Sequence, residues 1–428
     1  MKLTLSPKVY EFIEEIVHKT QADNPKWGDV FKKCFLNTLE TTIEMNADGT
    51  TFVLTGDIPA MWLRDSTAQV RPYLLLATMD QQIYEMIAGL VELQFRYIHH
   101  DPYANAFNQT ANGKGHQTDH TKMTDWIWER KYEVDSLCYP IQLAYLLYKN
   151  TGQTTHLNET FVTGLRDILT VWQTEQRHEI SPYQFVRDTD RVEDTLVNDG
   201  KGSPVAYTGM TWSGFRPSDD RCEYHYLIPS NMFAVVVLDY VAELATVISL
   251  PQDLVDLARQ LRQDIQQGIE QYALMKNAAG ETIYAYEVDG LGHQNLMDDG
   301  NVPSLLSIPY LGYCQKDDPI YLATRRTLFT PENPWYYEGK HARGIGSSHT
   351  WENYIWPIAL AIEGLTATTK AEQADILDVL VNTDGGTLQM HESFDVNDPT
   401  RYTREWFSWA NMMFCELLLS YYDREVKR

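Results

Sequence analysis

Hydrophobic positions fall at helical spacing along almost the whole chain, and they sort into two kinds of helix. One kind is amphipathic. Val9, Phe12, Ile13 and Ile16 mark a stripe in residues 8–18, Val30, Phe31, Phe35, Leu36 and Leu39 mark one in 29–45, and Ile83, Ile87, Leu90, Val91 and Ile98 mark one in 80–99. Residues 157–176, 251–273 with Pro251 at the first helical position, 319–328 and 370–382 continue that series. The other kind is apolar nearly all round, as in Leu137, Ile141, Leu143, Ala144, Leu146 and Leu147, and such a helix is buried on most sides. Residues 231–244 are of this kind despite the β-branched Val235, Val236 and Val237, because Ala234, Leu238, Ala242 and Leu244 favour helix around them. The only clear strand signal is Asp48-Gly49, a hairpin turn ahead of Thr51-Phe52-Val53-Leu54.

Each apolar helix follows a polar, aromatic loop. Six such starts occur, near residues 66, 134, 230, 303, 352 and 405, and each alternates with an amphipathic helix. Two helices in alternation, repeated six times, predict an all-α (α/α)6 barrel with little β-hairpin content, formed as one domain over residues 1–428. The long loops all precede inner helices, so they are expected to meet at one end around a single pocket.

Composition narrows the partners. The 59 acidic and 35 basic residues leave a formal charge of −24, which argues against a nucleic-acid groove or an anionic membrane surface. The first residues carry no apolar run of signal-peptide length and no segment reaches a membrane span, so a cytoplasmic location is expected. The five cysteines are widely spaced and never form a Cys-x-x-Cys pair, which excludes a disulfide framework or zinc knuckle. Cys34, Cys138 and Cys415 sit in apolar helices as buried thiols, while acidic neighbours around Cys222 would disfavour a thiolate there.

The loops carry the chemistry. Trp62-Leu63-Arg64-Asp65 precedes Ser66 and Thr67, candidate N-caps of a helix with Val70, Tyr73, Leu74 and Ala77 on its apolar face. Read as an ordinary helix start, Asp65 answers the helix dipole and Arg64 pairs with it. Read with the other loops, an Arg, an Asp and a Trp together suit a hydroxyl-rich ligand with apolar C–H faces, namely a sugar. Glycoside hydrolysis needs two carboxyl groups. Asp219 and Asp220, in Arg216-Pro217-Ser218-Asp219-Asp220-Arg221, are candidates for the acid; adjacent side chains diverge, so one of them is expected to point inward. Trp212 and Phe215 would raise its pKa, whereas Arg216 and Arg221 would lower it. Glu392, in Met390-His391-Glu392-Ser393-Phe394, is the candidate for the second carboxylate. His116 and His120 stand four apart without clear further ligands, which fits a sugar contact or a solvated loop better than a metal site.

Six long motifs stand in order along nearly the whole chain: TGDIPAMWLRDSTAQVRPY at 55–73, WERKYEVDSLCYP at 128–140, TWSGFRPSDDRCEYHYLIPSNMF at 211–233, MDDGNVPSLLS at 297–307, GIGSSHTWENYIWP at 344–357 and MHESFDVND at 390–398. Together they resemble glycoside hydrolase family 125, the bacterial and fungal exo-α-1,6-mannosidases. The resemblance implies an (α/α)6 barrel, inversion at the anomeric carbon, no metal or other cofactor, and release of non-reducing terminal α-1,6-linked mannose from N-glycan fragments or mannan. It also implies that Asp219, in preference to Asp220, is the general acid and Glu392 the general base. Arg64 and Asp65 would grip the terminal mannose, with Asp135, Arg216, Asp299, Asn301, His349 and Glu352 as further contacts and Trp62, Trp212 and Trp409 as apolar walls. Two rival readings remain at this level: another sugar-active enzyme of the same fold, a lyase or an epimerase, and a non-catalytic glycan-binding protein.

Overall fold

The structure, a computed structural model, describes residue 3 and residues 5–428. The first six helices are α1 (Pro7–Thr20), α2 (Pro25–Asn37), α3 (Leu63–Val70), α4 (Gln81–His100), α5 (Val134–Thr151) and α6 (Glu159–Glu175). They are followed by α7 (Ile228–Leu244), α8 (Gln252–Tyr272), α9 (Ile308–Leu311), α10 (Pro319–Leu328), α11 (Pro357–Leu365), α12 (Lys370–Asn382) and α13 (Ser408–Tyr421). Helix α3 packs on α5, α5 on α7, α7 on α9, α11 on α13, and α13 returns to α3. Around this inner ring lie α4, α6, α8, α10 and α12, with the α1–α2 pair closing the outer layer against α12 and α13. The architecture is the (α/α)6 barrel that the alternation predicts.

Burial follows the two helix kinds. Every residue of α11 and every residue of α13 from Ser408 to Ser420 is buried, whereas α8 buries only a stripe that includes Leu254, Ala258, Leu261, Ile265 and Ile269. One contiguous hydrophobic cluster runs from Val9 to Val426. Among the described residues no helix is long and apolar enough to cross a membrane. Cys34, Cys138 and Cys415 are buried as expected, and so is Cys222, whose thiol is pushed up by burial as well as by Glu287.

Three small antiparallel sheets hold the loops over the inner helices. Strand Met61–Trp62 pairs with Ala106–Phe107 and runs into α3, strand Tyr226–Leu227 pairs with Glu287–Val288 and runs into α7, and strand Tyr354–Ile355 pairs with Ser393–Asp395 just before α11. Residues from distant loops are thereby placed above the N-terminal ends of the inner ring.

Several boundaries differ from the sequence reading. Helix α3 begins at Leu63 after Trp62, so Ser66 and Thr67 are not caps; their hydroxyls accept from Gln94 of α4 inside the helix. The segment 29–45 is not one helix: α2 ends at Asn37, a five-residue π turn follows, and Ile43–Met45 pairs with Thr51–Val53 as the Asp48-Gly49 hairpin requires. Pro251 caps α8 from outside instead of opening it. The inner helix expected near 303 is reduced to α9, because Gly312 at φ 99° ends it after one turn.

Candidate active site

The segment from Phe215 to Arg221 folds back on itself. Phe215 bridges Arg221, the Arg216 N–H donates to the Asp220 carbonyl at 2.7 Å, and the Asp219 N–H donates to the Arg216 carbonyl at 2.9 Å. Pro217 suits the second position of such a turn, and the residue that closes it into the returning strand must be left-handed, ordinarily glycine. Here that residue is Asp219, at φ 65°. A side chain in that conformation costs on the order of 1 kcal/mol. The consequence is directional: Asp219 lines a cavity of about 430 Å³ and Asp220 does not.

Asp220 is fully committed. It accepts from Arg191 Nη2 at 2.8 and 2.9 Å, from Ser348 Oγ at 2.5 Å, and pairs with His349 Nδ1 at 3.0 Å. Burial would raise its carboxyl, but His349, Arg191 and Ser348 hold it far below the usual carboxylate range. Burial would likewise lower the His349 imidazole, yet Asp220 raises it to about 9, with Glu392 and Asp219 adding to the effect. An imidazolium therefore lines the cavity beside both candidate catalytic carboxyls.

The floor is built on the first turns of the inner helices. Arg64 of α3 is buried; its Nη1 donates to Glu133 at 2.5 Å and Asp135 at 3.2 Å, its Nη2 donates to Asp219 at 3.2 Å, and its guanidinium lies 5.6 Å from the Trp409 ring. Burial raises the Glu133 carboxyl well above its ordinary value despite Arg64, and the neighbouring Asp219 and Asp135 raise it further. Burial would also raise Asp219, but Arg64 and Lys131 outweigh it and bring that carboxyl down. Asp65 accepts from Thr55 at 2.7 Å, and burial raises its carboxyl too.

Among the described residues, four buried polar atoms of cavity-lining side chains have no hydrogen-bond partner: Trp62 Nε1 and Trp409 Nε1, and Arg64 Nε and Asp65 Oδ2, which face each other as an ion pair at 3.5 Å. Unpaired buried donors and acceptors are costly, and a cluster of both kinds around one cavity matches a ligand rich in hydroxyls. On another wall, Glu392 stands at the entry to strand Ser393–Asp395, 3.5 Å from Arg404, whose guanidinium is held by Asp57. Among the described residues no group of three or more His, Cys, Asp or Glu is placed to hold a metal ion.

A family model described as metal-independent α-mannosidase, glycoside hydrolase family 125, matches residues 24–419. The chain belongs to glycoside hydrolase family 125. A solved structure of a metal-independent α-mannosidase from Streptococcus pneumoniae, in a non-productive substrate complex with α-1,6-mannobiose, is 59% identical, covers 98% of this chain and 99% of that one, and superposes with a TM-score of 0.97. The Schizosaccharomyces pombe meiotically up-regulated gene 157 protein is 36% identical over 98% of this chain and 86% of its own length. A glycosidase structure only 9% identical, with a TM-score of 0.57 over 93% of this chain and 97% of that one, shares the fold alone.

In this family-125 chain the structure brings Trp62, Arg64, Asp65, Asp219, Asn301, His349, Glu392 and Trp409 together around the cavity. Five expected contacts lie elsewhere. Asp135 sits behind Arg64, accepts from Ser230 at 3.2 Å, and is raised to about 6 by burial. Asp299 accepts from Ser218 at 2.5 Å and from Asn301 at 3.2 Å, so it braces the turn and the asparagine instead of the ligand. Arg216 is spent on Glu287 at 2.6 Å, Glu352 is exposed outside the cavity, and Trp212 is fully buried between His178 and His225, at ring distances of 3.6 and 4.6 Å. His116 lines the cavity, whereas His120 turns outward to Asp188.

The sequence reading missed Lys131, Glu129, Arg187, Arg191, Asp194, Trp356 and Arg404, all of which line the cavity. Glu129 and Lys131 stood inside the quoted motif WERKYEVDSLCYP, and the signal was available there: a charged run framed by Trp128 and Tyr132 that leads straight into an apolar helix. Arg191 and Arg404 carried no such signal, since charged residues in polar loops are mostly solvated.

Proposed function

We propose that this α-mannosidase, as one catalytic domain, is an inverting exo-α-1,6-mannosidase that removes the non-reducing terminal mannose from α-1,6-linked mannosides such as N-glycan fragments or mannan. The observation that carries the reading is that Asp219 and Glu392 reach one cavity from separate loops while Asp220 is locked away behind His349 and Arg191. The cavity is floored by the first turns of the inner helices, which suits a chain end. The printed ligand of the Streptococcus pneumoniae relative, α-1,6-mannobiose, supports the linkage.

In this reading the proton for the leaving oxygen stands on the Asp219–Glu133 pair, and Asp219 is the member that reaches it. Glu392 takes a proton from the attacking water on the opposite face. The Arg64–Asp65 ion pair offers a donor and an acceptor to hydroxyls, and the ring edges of Trp62 and Trp409 supply further donors. Developing positive charge at the anomeric carbon is stabilised by the surrounding carboxylates.

Proton NMR of an α-1,6-mannobiose digest tests the proposal. β-Mannose in the earliest spectra is the expected product. Early α-mannose would overturn inversion and make Glu392 a nucleophile; no mannose at all would overturn the linkage assignment.

A further inference from the structure

Lys131 has almost no solvent contact, its side chain being 2% exposed. Its ammonium donates to Asp194 Oδ1 at 2.9 Å, lies 3.7 Å from Glu129, and donates to the main-chain carbonyl of Asp219 at 2.7 Å. A lysine buried only for charge balance would need carboxylates alone. This one spends an N–H on the carbonyl of the strained, left-handed residue that closes the turn. Among the described residues no other group donates to that carbonyl.

We propose that Lys131 is a positioning residue for Asp219: its ammonium clamps the Asp219 carbonyl, holds the left-handed backbone, and so keeps the carboxyl aimed into the cavity. The proposal deepens the reading of Asp219 as the general acid and rests on it. Charged groups face Asp219 from several elements: Arg64 and Asp65 from α3, Glu129 from the strand before Lys131, Glu133 at the entry to α5, and His349 from the loop before α11. Arg64 and His349 remain positive when Lys131 is replaced. Lys131 contributes to bringing the Asp219 carboxyl down, so its loss lets that carboxyl titrate higher.

The sign of the expected shift follows. A general acid works while protonated, so activity falls as pH rises through its pKa, and removing the ammonium moves that alkaline limb upward. In Lys131→Met, kcat/KM for α-1,6-mannobiose should fall about 10²-fold, since a reacting group displaced by about an ångström costs that much. Its alkaline limb should rise by about one pH unit, the lower end of the effect of one nearby charge. With dinitrophenyl α-mannoside, whose leaving group departs without a proton, the loss should shrink to about threefold, because general-acid help is no longer needed. Lys131→Arg, which keeps the charge, should leave the limb in place and restore part of the rate. Asp194→Asn removes the carboxylate that offsets the ammonium and should move the limb downward; it carries the test if Lys131→Met does not fold.

Equal losses on both substrates with an unmoved limb would show that Lys131 only packs the loop, and would overturn the proposal. Should Asp219→Asn keep its activity on mannobiose, the acid assignment itself falls; an inactive Asp219→Asn beside an unmoved limb in Lys131→Met removes only the role given to Lys131.

Discussion

The two ends of the barrel make an instructive contrast. At the N-terminal ends of the inner helices lies the cavity of about 430 Å³ with Asp65 and Asp135 in first helical turns. At the C-terminal ends lies a larger cavity, about 710 Å³, lined by basic groups that include Arg71, Lys316, Arg424 and Arg428. Helix dipoles favour carboxylates at the first end and cations at the second, but the smaller cavity is lined by Arg64, Lys131, Arg187, Arg191 and Arg404 as well as by carboxylates, so charge does not separate the two ends. The difference lies in how the groups are used. At the larger cavity Lys316 donates to the Ala367 carbonyl, Arg428 to the Pro309 carbonyl, and Arg71 pairs with Glu416 and Tyr310; among the described residues that line it, Arg71 Nε alone is buried without a hydrogen bond. At the smaller one, the indole N–H groups of Trp62 and Trp409 have no partner among the described residues, Arg64 Nε and Asp65 Oδ2 have only a 3.5 Å ion pair with each other, and one aspartate is held left-handed. Unspent hydrogen-bonding capacity and a left-handed aspartate set apart the end that holds Asp219 and Glu392, and cavity size does not.

The contrast can be broken most directly at Asp219. Asp219→Asn should lower kcat/KM for α-1,6-mannobiose by about 10³ to 10⁴-fold, near the upper range for a general acid, while Tm changes little, because asparagine tolerates the left-handed backbone and this offsets the carboxylate that Arg64 and Lys131 lose. A large loss of Tm in this variant would mean that Asp219 is structural. Asp220→Asn should behave differently, losing roughly 2 to 3 kcal/mol of stability because the part-buried His349 loses its carboxylate partner and Arg191 keeps only Asp194 and Glu193; denaturant unfolding measures it, and activity is lost along with the loop geometry.

At the opposite end, Glu416→Gln should cost roughly 2 to 3 kcal/mol by uncoupling Arg71, with kcat/KM unchanged. A change in kcat/KM would break the separation of the two ends. The smallest effect concerns pH. His349 has a folded pKa of about 9, above its ordinary 6.5, so its contribution is fully present below pH 6.5 and is lost as pH rises through about 9. On the order of 2 kcal/mol should disappear over that window in the wild type relative to Asp220→Asn, measured as Tm against pH.

The alternation of amphipathic and apolar helices was legible in the chain because the inner and outer layers impose different periodicities, and that pattern follows from burial alone. It failed where local chemistry overrode the pattern: at Gly312, which stops α9, and at the β-branched run Thr41-Thr42-Ile43, which leaves helix for strand. Asp219 and Glu392 could be picked as a pair, but Asp299, Arg216 and Trp212 were equally attractive by residue type and proved to serve the protein's own interior.

Residue order along the chain therefore settles the fold class, the end at which the loops gather and the family, because hydrophobic spacing and long motifs are properties of neighbours in sequence. Which of two adjacent aspartates faces the cavity is a different matter. The choice depends on a left-handed turn closed at Asp219, on Arg191 and His349 arriving from 29 and 129 residues away to claim Asp220, and on Lys131 arriving from 88 residues away to hold the Asp219 carbonyl. Those contacts exist only once the barrel has brought its loops together, since hydrogen bonds and ion pairs are set by distance in space and carry no trace in local sequence.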